Sequence, residues 1–385
     1  MDEWEKVKVG DIGKVITGKT PKTYNSEYYG GNIPFLTPSD DMSVKYVRRT
    51  NKYITELGRL SVKNVTLPAN AICVSCIGSD LGKVVITTQE TVTNQQINSI
   101  VVDTDKFDID FVYYSMLELG KVLNFHSKTS TAVPIVNKSS FSQYEIDCPK
   151  LNTQKRIGAI LSSIDKKIEE NNQINNNLEQ QAQAIYQQMF IDNPAPDWIE
   201  GSLSDIANIT MGQSPSGSSY NEDGIGAIFF QGRAEFGFRF PTIRLYTTEP
   251  KRMAYANDIL MSVRAPVGDL NVAHNDCCIG RGLAAIHSKT NHQSFVLYTM
   301  FSIKKQLDVF NGEGTVFGSI NRNSLNDMPI LIPDDEQIEK FELIVAPMDA
   351  AIRNNYDEIC RLQAVRDSLL PRLMSGELDV SNIGL

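Results

Sequence analysis

The strongest constraint on this 385-residue chain is that it is written twice. Asp11-Ile12, Gly18 and Pro21 return as Asp205-Ile206, Gly212 and Pro215, an offset of 194 at the glycine. Ala69-Asn70-Ala71-Ile72, followed by Ser75, returns as Ala256-Asn257-Asp258-Ile259, followed by Ser262, at 187. Phe111-Val112-Tyr113-Tyr114 returns as Phe295-Val296-Leu297-Tyr298, and Pro149 as Pro333, both at 184. The stretch from Ile135 to Phe141 returns at the same offset as Ser319 to Leu325. The offset drifts where loops differ and then locks, with the order kept, as a duplicated fold with diverged loops behaves. The length suits two or three domains.

Each copy opens with short strand-like runs broken by Gly, Pro, Asn and Asp turns; Val84-Val85-Ile86, Ile97 to Val102 and Ala284-Ala285-Ile286 are examples. Each copy closes in a long helix. Asn152-Thr153 and Asp334-Asp335 are the expected N-caps. The first helix should run to about Phe190, ahead of Pro194-Ala195-Pro196, and the second to about Gly376. Apolar residues alternate four and three apart, a heptad stripe. In the first helix the seam is Ile157, Leu161, Ile164, Ile168, Asn171, Asn175, Leu178, Ala182, Ile185 and Met189. In the second it is Phe341, Val345, Met348, Ile352, Asn355, Ile359, Leu362, Arg366, Leu369 and Leu373, each at the offset of 184. A helix of about 37 residues is about 55 Å long. Its stripe must be buried, and the other copy is the obvious partner. The expected fold class is therefore α+β: two globular mixed α/β domains, residues 1–150 and 198–333, alternating with long helices in 151–197 and 334–385.

Chemical motifs are missing. Asp192-Asn193-Pro194-Ala195-Pro196-Asp197 lacks the adjacent prolines and the aromatic that hold a flipped adenine in a methyltransferase. Gly224-Ile225-Gly226 has no third glycine for a dinucleotide loop, and no P-loop spacing occurs. Asp334-Asp335-Glu336 with Lys340 has nuclease-like residue types, but at a helix start acids complement the dipole. Cys73 and Cys76 have half a zinc spacing, with alternation sending them to opposite faces; Cys277-Cys278 is no better. His126, His274, His287 and His292 show no helical ligand spacing. We expect no catalytic residues, no metal site and no cofactor. No apolar run reaches the roughly 18 residues of a membrane span. The start, Met1 to Lys6, is no signal peptide, and the scattered cysteines suit a cytoplasmic protein without a membrane partner.

Several motifs, each weak alone, are specific together, in order and doubled. They are Thr17-Gly18-Lys19-Thr20-Pro21 with its echo Met211-Gly212-Gln213-Ser214-Pro215, Asp258 to Arg264 followed by Gly268, and Ile320-Asn321 to Pro329. Thr153-Gln154-Lys155-Arg156-Ile157 and the tail from Leu370 to Leu378 complete the set. In these the chain resembles, over essentially its whole length, the specificity subunits of Type I restriction-modification systems. The resemblance implies two target-recognition domains, each reading half of a split site in double-stranded DNA. It also implies helices paired as an antiparallel coiled-coil spacer with pseudo-two-fold symmetry. Two methyltransferase subunits would dock on the helical regions, and restriction subunits would attach through them. Chemistry using S-adenosylmethionine, ATP and magnesium would belong to those partners. The rival readings are a self-contained restriction enzyme, disfavoured by the missing motifs, and a non-DNA coiled-coil adaptor with two ligand-binding heads.

The net charge of −9 looks wrong for DNA binding until it is divided. Residues 1–150 hold 17 Lys and Arg against 17 Asp and Glu, and residues 198–333 hold 11 against 12. The acid sits in the helical segments, so the heads can bind DNA through clustered cations, with modest phosphate-driven affinity. Candidate contacts on turns are Lys19, Thr20, Lys22, Arg48, Arg49 and Lys52 in the first head. In the second they are Gln213, Ser214, Arg233, Arg239, Arg244 and Arg264; the first head has Ile77 where the second has Arg264. Arg and Gln can pair bidentately with base edges, whereas Lys and Ser more often hold phosphates. Antiparallel pairing would bring Asn171 and Asn355, near the two helix midpoints, together as a buried polar pair that fixes register.

Overall fold

The computed structural model describes residues 4–78, 81–129, 134–312 and 318–380. The outermost ends of the expected segments, residues 1–3 and 381–385, and the His126 side chain lie outside them. The chain divides into two compact units, Met1–Asn171 with Asp357–Leu385, and Asn172–Tyr356.

In the first unit, Ile97–Val102 forms a strand with the bounds expected from its apolar run. It lies second in a five-stranded sheet ordered Gly13–Thr17, Ile97–Val102, Ile72–Ser75, Val84–Thr87, Tyr46–Val47. Strand alternation divides the sheet between two apolar clusters. Ile72 and Val74 face one that holds Phe111, Tyr114 and Phe141. Cys73 and Val85 face another that holds Leu36 and Leu67. A three-stranded sheet places Tyr29–Leu36 between Tyr53–Ile54 and Val92–Thr93, the last in parallel. Glu5–Lys8 pairs antiparallel with Glu145–Cys148.

The second unit repeats this plan in hydrogen-bond detail. Ile259–Ser262 lies between Leu283–Ser288 and Leu270–Val272, and Ala227–Phe230 runs parallel to Cys277–Ile279. Ile199–Ser202 pairs antiparallel with Pro329–Ile332. Asn70 and Asn257, equivalent by sequence, both adopt positive φ, 64° and 76°, at the turn into the central strand. Ser75 Oγ accepts from Lys83 N, and Ser262 Oγ from Asp269 N, both at 2.9 Å. Asn137 caps the short helix Lys138–Gln143 by accepting from Ser140 N, and Asn321 caps Arg322–Asn326 by accepting from Ser324 N.

The first long helix spans Leu151–Tyr186 and ends in a π turn, Gln187–Ile191; the second spans Asp335–Met374. The second is capped as expected, with Asp334 Oδ1 accepting from Gln337 N at 2.9 Å. The first begins before its expected cap, because Lys150 O already accepts from Thr153 N and Gln154 N. Every seam position is buried or half-buried. In the first unit Ile157 and Leu161 pack in one cluster with Leu370 and Leu373. In the second unit Ala182 and Tyr186 pack with Phe341, Val345 and Ile352.

The asparagine expectation needs correction in its partners. Asn171, buried, donates from Nδ2 to Glu358 Oε2 at 2.8 Å. Asn355 donates from Nδ2 to Asn175 Oδ1, also at 2.8 Å. The difference is one helical turn. Midpoints counted between caps do not set register; large side chains do, such as Tyr186 edge-on to Phe341 at 5.6 Å.

Candidate nucleic-acid interface

In each head the loop after the first sheet strand is held largely by backbone, which leaves the side chains of Lys19 and Gln213 exposed. In the first head, a Cβ on Gly18 would lie 2.2 Å from Asn94 O, so only glycine allows this approach. Lys19 N then donates to Thr93 O at 2.9 Å, Thr20 Oγ1 bonds Gln95 Oε1 at 2.8 Å, and Tyr29 OH donates to Pro21 O. Asn94 N donates to Leu36 O, so this loop meets the end of the parallel strand pair Tyr29–Leu36 and Val92–Thr93. The loop beyond Leu36 is organised by Asp40, 5% exposed, which accepts from Thr37 N and Asn51 N.

The second head builds the same frame. A Cβ on Gly212 would lie 2.1 Å from Gly280 O. Gln213 N donates to Ile279 O at 2.9 Å, Arg281 N donates to Ser214 Oγ, and Tyr220 OH donates to Pro215 O. Gly280 N donates to Phe230 O, which brings the turn carrying Gln231 and Arg233 to the same end of the head. The frames match while the chemistry differs: exposed Lys19 and Gln95 with half-buried Thr20 in one, exposed Gln213 and Arg281 with half-buried Ser214 in the other. Gln95 and Arg281 were not singled out from sequence. The available signal was Gly280-Arg281-Gly282 closing a tight turn between two strands.

The other candidates divide by whether acids meet them. Lys22, exposed, stands over the equally exposed Tyr24 ring at 5.6 Å. Arg49, Lys52 and Arg264 are exposed and, among the described residues, in no ion pair; Arg264 bridges Ser319 through backbone. Arg48 is paired with Glu169 of the first long helix at 2.7 Å. Arg233 meets Asp269 at 2.6 Å, and Arg244 meets Glu222 and Glu235, both at 2.9 Å. Arg239 departs furthest from the expected DNA contact. Its side chain is 4% exposed, enclosed by Glu179, Asp349 and Tyr298, so no phosphate or base can reach it. Apart from Glu235, nine residues from Arg244, carboxylates more than twenty residues away in sequence take these cations, which no local reading reveals.

Cys73 and Cys76 belong to different apolar clusters, as strand alternation required. Burial pushes both thiols up, to about 12 and about 11, which keeps them protonated. No helix among the described residues is long and apolar enough to cross a membrane.

Comparison with known proteins agrees with this frame. The putative type I restriction enzyme MjaX specificity subunit of Methanocaldococcus jannaschii is 28% identical over 404 aligned residues, covering 98% of this chain and 94% of that protein. The MjaIX specificity subunit of the same organism is 25% identical, covering 99% and 95%. The crystal structure of a Type-I restriction-modification system S subunit from M. genitalium superposes with a TM-score of 0.61 at 16% identity, covering 97% and 96%, which shows a shared fold. The sequence model of the Type I restriction modification DNA specificity domain matches residues 1–180 and again 196–356. The chain belongs to this family of non-catalytic specificity subunits, with the family's domain present twice.

Proposed function

We propose that each head reads one half of a bipartite, asymmetric DNA site, and that the two long helices set the gap between the halves. The observation that carries this reading is the repeated frame with unlike side chains: Lys19, Thr20 and Gln95 occupy the places of Gln213, Ser214 and Arg281. Arginine favours guanine and glutamine favours adenine in the major groove, so unlike sets would select unlike half-sites. Lys22, Arg49, Lys52 and Arg264 would add contacts from the neighbouring turns. The reading divides the chain into heads at residues 1–150 and 198–333 and helical spacers at 151–197 and 334–385.

Antiparallel pairing of the helices as a coiled coil, with pseudo-two-fold symmetry, is supported by the order of their contacts. In the first unit Arg156, Asp165 and Asn171 meet Val380 O, just past the end of the second helix, then Arg366 and Glu358 on it, so numbers rise along the first helix as they fall along the second. The spacer would carry two methyltransferase subunits, with restriction subunits attached through them, in the cytoplasm. The acidic C-terminal segment, 11 Asp and Glu against 5 Lys and Arg in residues 334–385, suits protein partners better than DNA.

The test is a head exchange. Residues 1–150 are replaced by the equivalent segment of another family member, and methylated sites are mapped across a genome. One half-site should change while the other and the gap persist. A swap that altered both halves would overturn independent reading.

A further inference from the structure

We propose that Arg239 is a positioning residue: it locks the second head onto both long helices and so helps to hold the gap between half-sites. This rests on the bipartite reading above. Arg239 lies in a segment tied to the edge of the head's sheet, where Val272 N donates to Arg239 O at 2.8 Å and Asn271 Nδ2 donates to Gly237 O at 2.9 Å. From that edge its guanidinium reaches Glu179 on the first helix at 2.8 Å and Asp349 on the second at 3.1 Å. It also donates to Tyr298 OH, which in turn donates to Asp349 Oδ1 at 3.0 Å. One planar cation thus joins three elements, a geometry that a lysine's single ammonium cannot copy.

The equivalent place in the first unit shows what is particular here. Tyr114 and Asp165 repeat the pair Tyr298 and Asp349, with Tyr114 OH donating to Asp165 Oδ2 at 2.5 Å. There the cation on the aspartate is Arg366, supplied by the second long helix and not by the head. The head's own cation, Lys45, binds Asp110 within the head and Ser162 on the first helix alone. In the second unit the position equivalent to Arg366 is Ala182, fully buried, and among the described residues no helix cation pairs with Asp349. The first unit therefore closes its helices with a helix residue, whereas the second closes them through the reading head. Burial raises the Glu179 carboxyl above its usual range, Asp349 adding to the effect and Arg239 opposing it. Two acids from two helices thus converge on a cation that the head provides.

The test uses the complete complex with its methyltransferase partner, and DNA carrying the native half-sites at the native gap or at gaps one base pair longer and shorter. The R239M/E179Q/D349N variant removes cation and acids together, so no buried charge is left unpaired. It should melt close to the wild type and methylate the same bases, while its preference for the native gap falls about ten- to a hundredfold. R239K, which keeps the charge without the fork, should lie between the two, and it decides the matter alone if the triple variant fails to fold. Unchanged gap preference would make Arg239 a structural filler, and a changed base requirement in one half-site would make it a reading residue; either overturns the proposal. A wild-type complex indifferent to the gap would instead remove the bipartite reading, and this proposal with it.

Discussion

Asn355 on the second long helix donates its side-chain amide to Asn175 Oδ1 on the first, at 2.8 Å, next to the apolar seam residues Leu178, Met348 and Ile352. A polar pair in such a seam favours one register, because a slip by a heptad leaves both amides facing apolar neighbours. Replacing both residues by leucine should stabilise the protein by about 1–2 kcal/mol. The same change should broaden the gaps accepted between half-sites. The single change Asn355→Leu should instead destabilise by about 1–3 kcal/mol, because it leaves Asn175, 2% exposed, without its donor. Thermal melts of the single and double variants check both signs, and a double variant less stable than the wild type contradicts the register role.

Asp165 accepts from Arg366 at 3.0 Å and from Tyr114 at 2.5 Å. Burial, and then the neighbouring Asp165 carboxylate, hold the Tyr114 phenol far above its ordinary value, so it remains a donor at any physiological pH. Asp165→Ala should cost about 2–4 kcal/mol, since it strands a half-buried guanidinium and a buried hydroxyl together. Asp165→Ala combined with Arg366→Ala should recover part of that loss. Denaturant titration of the two variants measures the difference.

In the heads, cations met by acids should behave unlike those left open. Lys19→Ala or Arg49→Ala should weaken DNA binding for all sequences alike and lower the salt slope by about one. Arg281→Ala should relax base preference at one position of one half-site by about 1–3 kcal/mol. Arg244→Ala, which opens contacts to Glu222 and Glu235 only, should leave site preference as it was. Binding titrations over a range of salt, on randomised half-sites, separate these outcomes; an Arg244 variant with altered preference would count against this division.

Gly18→Ala and Gly212→Ala should each disable one head. The added methyl would sit 2.2 Å or 2.1 Å from a backbone oxygen, so the loop must shift away from its strand. A destabilisation of about 1–3 kcal/mol is expected, as for other overpacked sites. Recognition of one half-site should be lost in each case, and which half differs between the two variants. Footprints confined to the opposite half-site are the readout.

How much of this was legible in the sequence depended on range. The duplicated plan was, down to the strand Ile97–Val102 and the Asp334 cap, because turn residues and apolar spacing act locally. The heptad seam was legible too, and all its positions are covered. Register was not, because whether Asn355 meets Asn171 or Asn175 is decided by the fit of bulky side chains. The site was readable only in its frame. Arg239 reads as a surface base until Glu179 and Asp349, 60 and 110 residues away, are brought to it. Gly280-Arg281-Gly282 marks a tight turn in the sequence, but which loop Arg281 joins shows only when Ser214 is found beside it.

The way the long helices are shared between the two compact units has a consequence for synthesis on the ribosome. The second unit, Asn172–Tyr356, is one unbroken stretch of chain and can close as soon as it has emerged. The first unit needs residues from both ends. Ile157 and Leu161 wait for Leu370 and Leu373, which follow roughly two hundred residues later. At about 5–20 residues per second, that leaves an apolar seam uncovered for on the order of 10–40 s. The head made first is therefore the one finished last, and a truncation just after Tyr356 strands it while sparing its younger copy.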